Sequence, residues 1–342
     1  MRNVLCFLLM AVTVLITGCQ HRPLEMPNEH TEVHVMVNVT AINNITANVY
    51  NENVPVPDIN IGILRVMFFD PETHNLITQA FISEKYTTED GKEVICGDVK
   101  IAPGHYEMLC YNFDVETTQV TDEGNFNTIK AYTPVVKNLN LTSRFNSTKV
   151  SDDHQKIIYE PDHLLVARIA DLNILPHVER YVIETEANTV IDTYYIQIRV
   201  ANAQRAASAM ALISGLSSSN LIGPNIRSND DPASTFFTMN RGTDIRINDD
   251  NQEVLCAVFN TFGKIPEEDS ELNVTFNVQT KSGGIAEKTV NLNEIFKTED
   301  AIKRHWLLID EIWEIPLVQG SVQGGFVPEL GDWQEEEDEI EM

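Results

Sequence analysis

The 342-residue chain predicts an all-β protein of β-sandwich type, and three observations predict it. Val33, Val35, Val37 and Val39 alternate with Glu32, His34, Met36, Asn38 and Thr40, a period of two that a half-buried strand explains. Short strand-like segments then recur, separated by the turn chemistry of Asp70-Pro71, Asp90-Gly91, Pro103-Gly104, Asp249-Asp250-Asn251 and Ser282-Gly283-Gly284. Strands do not alternate with helical periods, as a parallel sheet would require.

In chain order, the first element is a targeting segment. Residues 1–18 carry Arg2 and no acid, and Val4–Ile16 is an apolar run of 13, the length of a signal-peptide core and too short to span a bilayer. Ile16-Thr17-Gly18-Cys19 resembles a bacterial lipobox. That resemblance implies cleavage after Gly18 and diacylglycerol on the Cys19 sulfur, followed by acylation (palmitate or a similar chain) of the new amino terminus. Two or three acyl chains give stable membrane anchoring. Residues 19–31, with Pro23 and Pro27, read as a tether.

Strands are expected at residues 32–40, 59–69, 80–86, 93–99, 106–114 and 131–141. A second series is expected at 194–201, 236–239, 254–259, 272–278, 286–292 and 306–314. The alanine cluster at 203–213 predicts a helix, ending in Ser214-Gly215 and a Ser217-Ser218-Ser219 loop. Pro176 cannot donate to a ladder, and fresh strands begin beyond it. The expected organisation is therefore an N-terminal sandwich over 32–172 and a C-terminal sandwich with an acidic tail over 173–342.

Charge narrows the function. The chain holds 51 Asp+Glu against 24 Lys+Arg, a formal −27. Nucleic acid is excluded as a partner, because affinity there comes from neutralising phosphates. Attraction to an anionic membrane surface is excluded likewise, so any membrane link must be the lipid on Cys19. No Lys or Arg follows Arg304, and residues 305–342 hold 11 acids, interspersed with Phe326, Leu330 and Trp333.

Catalytic constellations are missing from the sequence. There is no HExxH, GxSxG, GxxxxGK[ST], CxxC pair or GxGxxG after a strand, and no cofactor is implied. The histidines, among them His154, His163, His177 and His305, show no metal-ligand spacing, so no metal site is expected. Asp249–Glu253 and Ser228–Asp231 are oxygen-rich but lack the spacing of a calcium loop and read as turns. Of the mature cysteines, Cys96, Cys110 and Cys256 read as buried inert thiols, with a Cys96–Cys110 bridge as the alternative.

Several segments resemble the fimbrillin-like lipoproteins of Bacteroidetes, the pilins and fimbrial anchor subunits of donor-strand (type V) pili. They are the lipobox at Cys19, Ile101-Ala102-Pro103-Gly104-His105-Tyr106-Glu107-Met108-Leu109-Cys110-Tyr111-Asn112-Phe113-Asp114, Tyr159-Glu160-Pro161-Asp162-His163-Leu164, Val258-Phe259-Asn260-Thr261-Phe262-Gly263, and Gly324-Gly325-Phe326-Val327-Pro328-Glu329-Leu330-Gly331-Asp332-Trp333. The resemblance implies two tandem transthyretin-like sandwiches and a role in fimbria assembly or adhesion at the outer membrane and cell surface. Its implied partners are other fimbrial subunits, the pilins. In this family an arginine-specific cut removes the pilin's first strand, and a neighbour's carboxy-terminal strand fills the groove.

Residues 23–64 contain no Lys or Arg, so such a cut falls only after Arg22 or Arg65 and does not cleanly release Val33–Thr40. An anchor or assembly subunit that keeps its first strand and its lipid is the expectation. Strand-exchange candidates are Val33, Val35, Val37 and Val39, with Phe326, Leu330 and Trp333 in the tail, which either closes the second domain or is donated. The alternative function is a surface lipoprotein that binds a glycan or host protein, for which exposed aromatics around Trp306, Trp313 or Trp333 would be the sign.

Overall fold

The expected alternation is realised in a computed structural model that describes residues 30–40, 61–113, 115–137, 156–176, 180–229, 231–246, 252–265 and 271–318. The strands begin with β1 (Thr31–Asn38), β2 (Leu64–Phe69), β3 (Leu76–Ile82), β4 (Glu84–Thr87), β5 (Glu93–Ile101) and β6 (Gly104–Asn112). Next come β7 (Gln119–Thr121), β8 (Lys130–Tyr132), β9 (Lys156–Ile158), β10 (Leu165–Ile174), β11 (Tyr181–Glu186) and β12 (Asn188–Thr189). Then follow β13 (Asp192–Ala201), β14 (Ala206–Ser217), β15 (Ser219–Leu221), β16 (Ile226–Arg227) and β17 (Pro232–Thr243). β18 (Glu253–Thr261), β19 (Asn273–Thr280) and β20 (Ile285–Asn291) lead to a short helix, α1 (Glu299–Arg304), and to β21 (Trp306–Glu314).

One sheet has the order β11-β1-β5-β4 and a second the order β12-β10-β6-β2-β3. Alternate residues of both meet in a shared core: Val33, Val35, Val37, Ile95 and Val99 from the first, Val66, Phe68, Met108 and Ala167 from the second. Each Val, Ile, Phe or Met among them contributes about 1.5–3 kcal/mol relative to exposure, which is why the period-two pattern decides the fold here. The layers approach closely at Gly97, where an added Cβ would lie 2.6 Å from Ile82 Cγ2.

The later strands form a sheet of order β20-β19-β14-β17-β18-β13-β21, with β9 pairing β17 off that path. β17 joins its two layers. It pairs with β14 as far as Met239 and with β18 from Asn240 onward. A strand that changes partner in this way makes a corner of a sandwich. The core between the layers holds Ile196, Ile198, Ala211, Phe237, Phe259, Val274 and Phe276. A small sheet, β16-β15-β8-β7, draws strands from both halves of the chain. Beneath it Met67, Phe69, Leu109 and Tyr111 pack with Phe126, Ile129, Ile222 and Phe262, and the Arg168 guanidinium donates to the Ile222 carbonyl at 2.5 Å.

Three expectations are corrected. Residues 203–213 are not a helix but a 3₁₀ turn, Ala203–Arg205, followed by β14. Ala211 lies opposite Phe237 on one side and Phe276 on the other, so small side chains are needed where two rings converge. Alanine's helix preference, at most about 0.7 kcal/mol per residue over ordinary residues, loses to that packing. Ser217 and Ser219 end β14 and begin β15, and Ser217, Ser218 and Ser219 are all buried rather than in an open loop. The chain does not change sheets at 172/173: β10 runs to Ile174, and the next strand, β11, returns to pair with β1. β9 already pairs with β17 of the later set before β10, β11 and β12 return to the first half, and β13 is the next strand to join that set. Of the strand expected at 131–141, β8 covers Lys130–Tyr132, and residues from 138 lie outside the described ones.

Candidate assembly site

β1 takes its place because its two faces differ. Val33, Val35 and Val37 have no exposed surface and Val39 only 5%, whereas Glu32, His34, Met36 and Asn38 point the other way. Neighbours pair along both edges: β5 antiparallel, with Val35 opposite Gly97, and β11 parallel, with Val35 opposite Ile183. On the outward face His34 Nδ1 lies 2.6 Å from Asp98 and 2.9 Å from Arg180, tying all three strands' surroundings together. The contacts of Asp98 with His34 and Arg180 hold its carboxyl below the usual carboxylate range. The four valine candidates are thus brought together in the centre of a sheet. Cys19, Phe326, Leu330 and Trp333 lie outside the described residues.

The segment around Glu160 works as a clasp between the two halves. Tyr159 meets the Phe236 ring edge-on at 6.1 Å, and Glu160 Oε1 accepts the Asn260 N–H at 2.6 Å. The Asp162 carboxylate accepts the Thr117 and Thr118 N–H groups at 2.6 and 2.8 Å, and the Thr118 hydroxyl accepts the Asp162 N–H. The Asn112 amide donates to the His163 carbonyl and accepts the Leu165 N–H. Burial raises the Glu160 carboxyl to about 7, the single N–H bond opposing it only in part. Phe259, in the matching segment Val258–Gly263, stacks on Phe237 at 4.4 Å, and Phe262 is buried against the first half. Gly263 has φ +98°, and a Cβ there would meet Asp192 Oδ2 at 2.6 Å, beside the Arg227–Asp192 ion pair.

Sequence reasoning missed a charged cluster in the second half. The Asp244 side chain is fully covered and accepts hydrogen bonds from Gln197 (2.7 Å), Arg199 (2.6 Å) and Arg246 (3.1 Å). Burial acts to raise its carboxyl, but the hydrogen bonds from Arg246 and Arg199 win and hold it well below the ordinary value. The only signal was a lone Asp ahead of Arg246, which is not specific. Cys96 and Cys110 are free and buried, and Cys256 is free and partly buried. Burial raises all three thiols, which disfavours the reactive thiolate. The Cys96–Cys110 bridge is not formed. Trp313 is 8% exposed and packs near Phe276, while the half-buried Trp306 ring has the Arg304 guanidinium over it at 5.0 Å and meets Tyr195 edge-on. Among the described residues no cluster of three His, Cys, Asp or Glu is placed to hold a metal ion.

Facing sheets built almost wholly of strands, with the first described strand held inside one of them, define a β-sandwich protein. It belongs to the family described as "Domain of unknown function (DUF5119)", whose profile matches residues 63–238, just over half of the chain. A crystal structure of a candidate adhesin from Bacteroides ovatus shares the fold, with a TM-score of 0.58 at 19% identity over 89% of this chain and 99% of that one. A candidate fimbrium anchoring subunit of Bacteroides ovatus, Fim4B, is 24% identical over 154 residues. That match spans 42% of this chain and 43% of the relative. The fimbrial anchor protein Mfa2 from Porphyromonas gingivalis matches more loosely, with a TM-score of 0.44 at 14% identity over 82% of this chain and 88% of that one.

Proposed function

We propose that this chain is a lipid-anchored subunit of a cell-surface fimbrium, its anchor or assembly component, which holds neighbouring subunits by β-strand pairing and carries out no catalysis. The observation that carries the reading is the seat of β1. A subunit that polymerises by strand exchange must vacate its first strand, and here that strand is paired on both edges and buries Val33, Val35 and Val37 completely. Arg65, the first Lys or Arg after Arg22, sits within β2 between β3 and β6 with its side chain 11% exposed, so a protease has no open bond there. Kinship with a candidate fimbrium anchoring subunit supports the same assignment.

On this reading the acyl chains on Cys19 hold the protein in the outer membrane and residues 20–30 lead from lipid to β1. Its partners are pilins. The tail residues Phe326, Leu330 and Trp333 either close the later sheets or are offered to a partner, and deletion of residues 320–342 separates the two. Loss of folding supports closure; intact folding with failed assembly supports donation. The deciding measurement is the intact mass of the protein purified from the native outer membrane. A diacylated or triacylated chain beginning at Cys19 and co-purifying with a pilin ladder is expected, and an amino terminus beyond residue 40 overturns the anchor assignment.

A further inference from the structure

We propose that β3 is a self-association edge, at which a second copy of this chain pairs antiparallel about Gln79. The inference goes beyond the fimbrial reading and does not rest on it. Exposed sheet edges invite pairing, and folded proteins blunt them with charge, brevity or cover. Among the described residues the other edges follow that rule. β4 carries Glu84 and Lys85, β11 carries Glu184 and Glu186, β20 carries Glu287 and Lys288, and β21 carries Asp310, Glu311 and Glu314. β7, β12 and β16 are three residues or shorter.

β3 departs from it. The strand reads Leu-Ile-Thr-Gln-Ala-Phe-Ile, without a charge or a proline, and among the described residues it is the terminal strand of its sheet. Its outward side chains include Ile77 at 50% and Phe81 at 54% exposure. Phe113, 49% exposed, extends the patch, its ring meeting Phe81 at 5.2 Å. The Arg65 guanidinium lies 5.9 and 5.6 Å from these rings, but it is neutralised: its N–H groups go to Gln79, Tyr111 and Glu123. The usable edge starts at Ile77, because a register shift against β2 falls there and the Leu76 N–H already bonds the Gly124 carbonyl.

The occupant follows from the order of side chains. A row of alternately unpaired backbone N–H and C=O groups is complemented by another strand, and an uncharged one here, since a charge placed over Phe81 would be desolvated without a partner. β3 itself satisfies this. Antiparallel pairing centred on Gln79 sets Ile77 opposite Phe81 of the second copy and Phe81 opposite its Ile77. These are two equivalent aliphatic–aromatic cross-strand pairs on one face, with Thr78 and Ala80 on the other. The contact is isologous and closes at two copies, so it yields a dimer and not a filament.

The test uses the full chain purified in detergent in two differently tagged forms, read by sedimentation velocity and by co-capture of one tag with the other. Wild type is expected to dimerise. Phe81→Lys alone and Ile77→Glu alone should each weaken the dimer about tenfold or more, since symmetry doubles every cross-strand change. Mixing the two variants should restore it, because Lys at 81 then faces Glu at 77, a result that misfolding of either variant does not produce. A wild type that stays monomeric, a dimer indifferent to both substitutions, or a mixture that fails to recover each overturns the proposal.

Discussion

Glu160 and Asp244 are two carboxylates drawn out of water, and they respond in opposite ways. Glu160, at the clasp between the halves, receives one backbone N–H, and burial raises its carboxyl to about 7. Asp244 is more completely covered, yet two arginines and Gln197 surround it and its carboxyl is lowered. Burial alone does not set the charge state of a carboxyl. The number and charge of the donors around it decide whether the anion is kept or refused.

The contrast is broken most forcefully at its better-supported end. Asp244→Ala leaves Arg199 and Arg246 facing each other without their shared acceptor, and the expected loss is about 3–4 kcal/mol, seen as a lower denaturant midpoint at neutral pH. A smaller effect belongs to Glu160. Its carboxyl is higher folded than unfolded, so the native state keeps a proton that the unfolded chain has released. Its contribution is therefore present below about 4.5 and declines as pH rises toward about 7. Glu160→Gln retains an acceptor for the Asn260 N–H and should raise stability above pH 7 by about 2–3 kcal/mol, while flattening the decline between pH 4.5 and 7 in a series of denaturation curves. Asp244 has the reverse sign: its contribution is present above its ordinary value of 3.8 and lost as pH falls below it. The smallest effect sharpens the comparison from outside. Asp310 also pairs with Arg246, but its side chain is 82% exposed, so Asp310→Asn should change stability by about 0.5 kcal/mol or less.

How much of this was readable in the sequence depended on range. β1 announces itself by strict alternation, and β5, β6, β13, β18, β19, β20 and β21 by short strand-forming runs set between turn signals, all of them local features of the sequence. β14 was misread because its alanines express a local preference, whereas their reason, Phe237 and Phe276 on adjacent strands, lies far along the chain. α1 carries short-range signals, the Thr298 cap accepting the Ala301 N–H, Glu299 and Asp300 first, Lys303 and Arg304 last, yet it spans six residues and lacks a periodic face. For the candidate site, the valine row of β1 was legible, but its place at a sheet centre was not. That place depends on β11, a parallel partner about 150 residues downstream. The three resemblance segments that fall among the described residues are strand β6, the inter-half clasp and β18, each engaged in packing and hydrogen bonding.

The position of β1 has a mechanical meaning as well. A tension entering the chain at Thr31 runs along the strand's own axis and meets ladders on both flanks, to β5 and to β11. Such a load is borne in shear by many hydrogen bonds at once, where an edge strand pulled from its end would be peeled away one bond at a time. Slippage by a single residue would also drive Val33, Val35 and Val37 out of the core together. The first described strand thus shares with β5 an interior place in its sheet, the place that resists being drawn out under a sustained pull.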